Sequence, residues 1–254
     1  TLARSILAAP LKCREAMQYV AVEVSETQRQ RQPSGVISTA DVPNRSIDGV
    51  VLANELLDNL PFRLMVFDGG WMESWIAATP SGFTEELRKI SEMPIHLPET
   101  APHGARVPIQ DIARRWVEKS VASIGRGRLL VIDYARPTTS SVIAQGWREW
   151  LRTYVQHGRG SHYLKNVGLQ DITCDVMLDQ VFEGVGANFL SQRLFLERHG
   201  IAVAVEEGRS YWEVHASQPD LRAMTMRSRV SEAEALTDPS GLGAFTVAEV
   251  IVGS

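Results

Sequence analysis

Three short apolar runs in this chain each end on an acid, and that pattern limits the fold more than any other feature. They are Tyr19-Val20-Ala21-Val22-Glu23-Val24, Gly49-Val50-Val51-Leu52-Ala53-Asn54-Glu55 and Leu129-Leu130-Val131-Ile132-Asp133-Tyr134. Apolar, β-favouring runs bounded by glycine and polar residues read as fully buried strands. Helical patterns alternate with them: a Ser25-led polar helix through Gln32, and the periodic segment Ile109 to Ile124. Strands alternating with helices predict an α/β fold, a Rossmann-like sheet with helices on both faces. In such sheets ligands bind beyond the carboxyl ends of the strands. Glu23, Asn54, Glu55, Asp133 and Tyr134 stand at those ends.

The rest of the chain completes the outline. Thr1 to Ala9 reads as a helix stopped by Pro10. Phe62–Phe67 and Trp71–Ile76 read as a hairpin around Asp68-Gly69-Gly70. The Pro-, Glu- and His-rich stretch from Pro80 to Pro108 reads as an insertion or lid. Residues 1–61 and 107–254 are therefore expected to form the core, with 62–106 as an inserted hairpin and lid region. Ser191 to His199 is a helix closed by Gly200. Ile201–Val205 and Phe245–Val252 look like late strands.

Charge and cysteine usage narrow the function. Lys plus Arg number 26 against 30 Asp plus Glu, a net charge of −4, with no basic stripe for a nucleic acid. No apolar run has the length of a membrane span, and no basic-then-apolar leader opens the chain. Cys13 and Cys174 lack metal spacing, so no metal site is expected. Free thiols fit a reducing compartment such as the cytoplasm.

Several of these residues admit a structural reading as well. Asn54, Glu55 and Asp58 fit a chemical site, and equally a helix start with Asn54 as cap and two acids facing the helix dipole. Glu23 fits an acceptor for ribose hydroxyls, or a cap for the helix near Ser25. Asp133 is either a site acid or a buried acid satisfied by backbone amides. His157 and His162, in a Gly-rich loop, lean structural, as do the tryptophans. Trp147 and Trp150, three apart, fit one helix face that either buries in the core, the favoured reading, or docks a partner.

Five ordered blocks carry a more specific resemblance. Gly49 to Phe62 resembles the Asn-Glu-x-x-Asp-x-x-Pro signature of the MidA family, relatives of the mitochondrial complex I assembly methyltransferase. Tyr19 to Gln32 resembles the family's acid-ended strand and Ser-led helix. Gly127 to Tyr134 is similar to its Gly-x-hydrophobic-Asp-Tyr strand, and Gly168-Leu169-Gln170-Asp171-Ile172-Thr173 to its Gly-x-x-Asp-Ile-Thr block. Gln192 to Ile201 is similar to its Gln-x-x-Phe-Leu then Gly-Ile helix end. Ala135 and Asn59 depart from the family's usual Gly and Ala. Thr1-Leu2 corresponds to residues just past the family's Gly-rich loop, so the chain is expected to begin inside a domain.

The resemblance implies a class I methyltransferase using S-adenosyl-L-methionine and acting on an arginine side chain of a protein, such as a complex I subunit. It assigns Glu55, Asp58 and Asn54 to catalysis, and Glu23, Ser25, Asp41 and Asn54 to the cofactor. Asp133, Tyr134 and Asp171 are assigned to the substrate. A mitochondrial matrix location is expected if the source is eukaryotic, and a homodimer is compatible with the sequence. A small-molecule acceptor and a non-catalytic assembly module are the alternatives.

Overall fold

The computed structural model describes residues 2–43, 46–156 and 158–253, and it divides into two compact units, Thr1–Ile47 and Asp48–Ser254. In the first, helix α1 (Leu2–Ala8) precedes strand β1 (Tyr19–Val22), helix α2 (Glu26–Arg29) and strand β2 (Val36–Thr39). β1 and β2 pair in parallel, Tyr19 opposite Val36 and Val22 opposite Thr39. The Ser25 hydroxyl accepts the Gln28 N–H and caps α2, satisfying a donor that the helix itself cannot. The helix is shorter than its polar pattern suggested. β1 is only half-buried, and Val24 beyond it is 84% exposed. Among the described residues β1 has one neighbouring strand, so the fully buried strand expected here is corrected to a partly covered one.

Strand β3 (Ile47–Asn54) leads into the second unit. The next four strands, β4 (Arg63–Phe67), β5 (Trp71–Thr79), β6 (Gly82–Lys89) and β7 (Arg106–Ile109), form an antiparallel sheet in the order β6-β5-β4-β7. The β4–β5 hairpin turns at Asp68-Gly69-Gly70, where Gly69 takes φ +69. Helix α3 (Asp111–Ser123) runs directly into strand β8 (Ile124–Asp133). Short strands follow: β9 (Ala135–Arg136), β10 (Leu151–Val155), β11 (Gly158–Arg159), β12 (Asp171–Cys174) and β13 (Val176–Met177). The chain then passes through α4 (Leu178–Val181), β14 (Asn188–Ser191), α5 (Gln192–Arg198), α6 (Ile201–His215) and α7 (Leu221–Thr237) to β15 (Thr246–Val252).

The central sheet has the order β14-β15-β8-β3, with β15 antiparallel to both β14 and β8. β3 runs parallel to β8. A Cβ on Gly127 would lie 1.8 Å from the Gly49 carbonyl oxygen at one end, and the Glu55 N–H donates to the Ile132 carbonyl at 2.9 Å at the other. Gly127, at φ +143, therefore permits an approach that no side chain would. β3 also departs from the fully buried strand expected. It stands at the end of the strand order and alternates, Ala53 buried and Val50 57% exposed, the period-2 pattern of a half-covered strand.

Ile201–Val205 is the first turn of α6, not a strand. The Ile-Ala-Val-Ala-Val alternation gives way to helical contacts, because Ile201, Val205, Gly208, Tyr211, Trp212 and His215 are the covered positions. Gly208 meets the Met226 carbonyl of α7 so closely that an added Cβ would lie 2.5 Å from it. Trp150 is fully buried as expected, but Trp147–Glu149 form a 3-10 turn instead of a longer helix.

Two cores result. One joins Ala113 and Val117 of α3 to Ala53, Leu129, Val131 and Val250 of the central sheet. The other joins Met65, Val107 and Ile109 of the antiparallel sheet to Trp150, Leu151, Cys174 and Met177. β9 and β13, paired in parallel, begin two residues after Asp133 and one residue after Asp175. No described helix is long and apolar enough to cross a membrane, and the described residues hold no cluster suited to a metal ion.

Candidate active site

At the carboxyl end of β3 the chain reverses through Glu55, whose φ is +48. A left-handed residue other than glycine or asparagine costs about 1–2 kcal/mol, so something must hold it. Two hydrogen bonds do: Glu55 N–H to the Ile132 carbonyl, and Asn59 Nδ2 to the Glu55 carbonyl at 3.2 Å. The reversal leads into one 3-10 turn, Leu57–Asn59. The N–H groups of Leu57 and Asp58 then donate to Asp133 Oδ2 at 2.9 and 3.4 Å, and Tyr134 N–H donates to Oδ1 at 2.9 Å. Asp133, 2% exposed, is thus the anchor of the turn, the arrangement of a buried acid satisfied by backbone amides. Burial, together with the nearby Asp58 charge, raises its carboxyl to a pKa of about 7.

Asp58 is also 2% exposed, and Asn59 Nδ2 donates to its Oδ1 at 2.6 Å. Burial first, and the Glu55 charge second, push it up to about 6, while Arg152 works in the opposite direction. Glu55 and Asn54 face solvent, with Asn54 Nδ2 3.4 Å from Glu55 Oε1. The structure therefore brings Asn54, Glu55, Asp58, Asp133 and Tyr134 together at the carboxyl ends of β3 and β8. It puts an exposed carboxylate beside a covered one. Asn54 ends the strand and caps no helix.

Three charged residues complete this cluster that the sequence pattern did not single out as site residues. Asp175 is buried and bonded through one oxygen to Arg136 Nε at 2.8 Å and through the other to Arg152. The Arg152 guanidinium lies 4.9 Å over the Tyr134 ring. One signal was available: an acid between Cys174 and Val176, in an apolar stretch, needs a cation to be buried. Its partners, 23 and 39 positions away, could not be read from spacing.

The remaining candidates lie apart from this cluster. Asp171 is exposed at the start of β12, opposite Tyr154 and four residues from Asp175, roughly 13 Å along an extended strand. His162 is packed edge-on against Trp147 at 5.4 Å in an aromatic cluster with Tyr163, and burial lowers its pKa. His157 lies outside the described residues.

In the first unit, Glu23 follows β1 and Asp41 follows β2, so both acids stand at the carboxyl ends of adjacent parallel strands. Glu23 Oε1 accepts the Ser25 N–H at 2.8 Å, and Asp41 Oδ1 accepts the Val42 N–H at 2.8 Å. The Ser25 N–H contact is the one expected of a residue that caps the start of α2.

Over residues 1–191 the chain matches the sequence profile of a family of S-adenosyl-L-methionine-dependent methyltransferases. It belongs to that family. No curated protein matches it. Two crystal structures of superfamily proteins from Burkholderia thailandensis share its fold. One, of an uncharacterized protein, is 24% identical with a TM-score of 0.75, covering 98% of this chain and 70% of that one. The other is 25% identical with a TM-score of 0.77, covering 98% and 68%, and holds S-adenosyl-homocysteine. The methyltransferase fold accounts for the placement of the acids at strand ends.

Proposed function

We propose that this methyltransferase transfers a methyl group to an arginine side chain of a protein, such as a subunit of respiratory complex I. The observation that carries the reading is exposed Glu55, held at φ +48, beside covered Asp58 at the carboxyl end of β3. S-adenosyl-L-methionine supplies an electrophilic methyl group on a sulfonium; Glu23, Ser25 and Asp41 of the first unit are the residues proposed to hold it.

A guanidinium is always charged and its lone pairs are delocalised, so it needs orientation before it can attack. Glu55 accepts its N–H groups in charge-assisted hydrogen bonds and biases charge toward one nitrogen. Asn54 orients the acceptor, and Asp58 lies beneath as the second carboxylate. Holding one nitrogen in line with the methyl group supplies much of the acceleration. Asp133 and Tyr134 support the acceptor through the turn and the ring below it, and Asp171 is a more distant protein contact.

Calorimetric titration with S-adenosylhomocysteine should show one site per chain, and Glu23→Ala should weaken it by roughly 10–100-fold, the worth of one charge-assisted hydrogen bond. Methyl-tritiated cofactor should then label arginine-containing protein, with methylarginine recovered on hydrolysis. No binding would end the enzyme reading, and label on another acceptor would end the arginine reading. Because Asp58 must be ionised, turnover should rise with pH through about 6. A rate flat from pH 5 to 7.5 would remove Asp58 from the mechanism.

A further inference from the structure

We infer that a groove walled by Pro137, Leu178, Phe189, Leu194 and Thr246 takes an apolar side chain of the protein acceptor, about three or four residues from the methylated arginine. The inference deepens the protein-acceptor reading proposed above and rests on it for the kind of acceptor. The groove encloses about 520 Å³, within the ~300–1,000 Å³ of ordinary ligand sites. Phe189 is 42% exposed and Leu194 47%, and both line this one concavity. Single exposed apolar residues are ordinary, but several around one hollow mark a surface that a partner can cover. Phe189 is held edge-on against Phe182, with ring centroids 5.5 Å apart. Asp179, the charged residue of the wall, is already committed, accepting the Thr139 N–H at 2.8 Å and the Thr139 hydroxyl at 3.0 Å. A charged guest would lose its hydration against these walls, whereas an apolar one gains by being covered.

Strand order puts the groove within reach of the acceptor. Along the carboxyl edge of the central sheet, Glu55 follows β3, Asp133 ends β8, Thr246 begins β15 and Ser191 ends β14. Each stands beside the next. The Glu55 N–H donates to the Ile132 carbonyl at 2.9 Å, Thr246 lies opposite Asp133, and Ser191 lies opposite Thr246. Phe245, just before Thr246, packs on the Tyr134 ring with centroids 4.2 Å apart. Pro137 and Leu178 directly follow β9 and β13, which pair with each other. Neighbouring strands are about 4.8 Å apart, so the groove at β15 and β14 begins two to three spacings, roughly 10–14 Å, from Glu55. An extended peptide advances about 3.3 Å per residue, and that span is three or four residues of it. A chain laid across the strand ends, with its arginine at Glu55, therefore brings a later or earlier side chain over the groove.

The test uses fluorescent peptides with one arginine in a Gly-Ser background, carrying leucine or alanine three or four positions to either side. Anisotropy in the presence of S-adenosylhomocysteine reads binding without turnover, and transfer of a tritiated methyl group reads kcat/KM. Leucine should bind roughly 10-fold tighter than alanine at one of these positions, the discrimination an apolar pocket achieves between side chains of different size. A photoreactive leucine at that position should crosslink to the groove wall. Leu194→Glu, at an exposed helix position, should erase the leucine preference and make lysine the favoured residue there. Equal binding of leucine and alanine peptides at every position, a crosslink outside the groove, or a preference that survives Leu194→Glu overturns the inference. The parent peptides and the crosslink decide it alone if the variant does not fold. If the leucine peptide binds with this preference and crosslinks in the groove, yet its arginine gains no methyl group, the arginine reading fails while the groove assignment stands.

Discussion

Glu55→Gln will lower methyl transfer by roughly 10²–10³-fold while S-adenosylhomocysteine binds as in the parent. Glutamine matches glutamate in size and keeps one acceptor oxygen, so what it removes is the charge proposed to face the acceptor cation. Loss of one preorganised electrostatic partner costs about 3–4 kcal/mol in the transition state. Glu55→Asn separates activity from stability at the same position. Asparagine tolerates the left-handed conformation that Glu55 adopts at φ +48. That variant should unfold at the parental temperature or slightly above it, and be as inactive as the glutamine variant. Thermal unfolding and single-turnover methyl transfer read the two quantities separately. Parental turnover in folded Glu55→Gln would remove Glu55 from the chemistry, and a clear drop in stability for Glu55→Asn would show that its backbone stores no strain.

Glu85→Ala will destabilise the protein by about 2–4 kcal/mol, somewhat less than the cost of breaking a fully buried ion pair from one side, because this pair is partly exposed. Glu85 of β6 accepts both Arg106 NH1 and NH2 at 2.8 Å, the Tyr163 hydroxyl at 2.6 Å and the Ser74 hydroxyl at 2.7 Å. Arg106 on β7 and Glu85 are each 18% exposed in their side chains, and Tyr163 belongs to the loop before β12. The cluster therefore ties the antiparallel sheet to the segment that carries Arg152 and Asp175. Without the carboxylate, a covered guanidinium and a covered hydroxyl lose their acceptor. At about 2–4 °C per kcal/mol for a chain of this size, the midpoint should fall by roughly 10 °C.

Acid should reveal the same cluster. Burial works to raise the Glu85 carboxyl, but hydrogen bonds from Arg106, Tyr163 and Ser74 hold it down at about 2, against 4.5 unperturbed. A depressed acid contributes stability above its unfolded pKa and loses it as pH falls toward the folded one. The parent should therefore weaken between pH 4.5 and 2, and Glu85→Ala should lose less over that range. Asp58 and Asp133 act with the opposite sign. Their raised values, about 6 and 7, mean that the folded state binds protons more tightly, so their contribution declines as pH rises from 4 through 7. Urea midpoints measured from pH 7.5 down to 3 in parent and variant would show both trends. Parallel curves below pH 4.5 would mean that Glu85 is not held in this way.

The local features of this fold were legible because each depends on neighbours a few positions away. Ser25 and Gly200 mark the helix boundaries expected of a cap and a left-handed glycine, and Asp68-Gly69-Gly70 makes its hairpin. The acids after β1 and β3 and at the end of β8 stand at strand ends, as the apolar runs before them indicated. Alternation misled at Ile201–Val205, since packing against α7 rewards one helix face over the local β preference. It also overstated the burial of β1 and β3, whose coverage depends on strand order.

The sequence by itself determined the strands that end in acids, the turns and caps between them, and the family's blocks, all properties of residues close along the chain. Only the tertiary structure decided what each acid does. Asp133 became an anchor because Leu57 and Asp58, some 75 residues earlier, present their N–H groups to it. Asp175 gained Arg136 and Arg152, and Glu85 gained Arg106 and Tyr163, from other elements. A charge can pair with any opposite charge in the chain, so burial and proximity, which arise only on folding, select the partner.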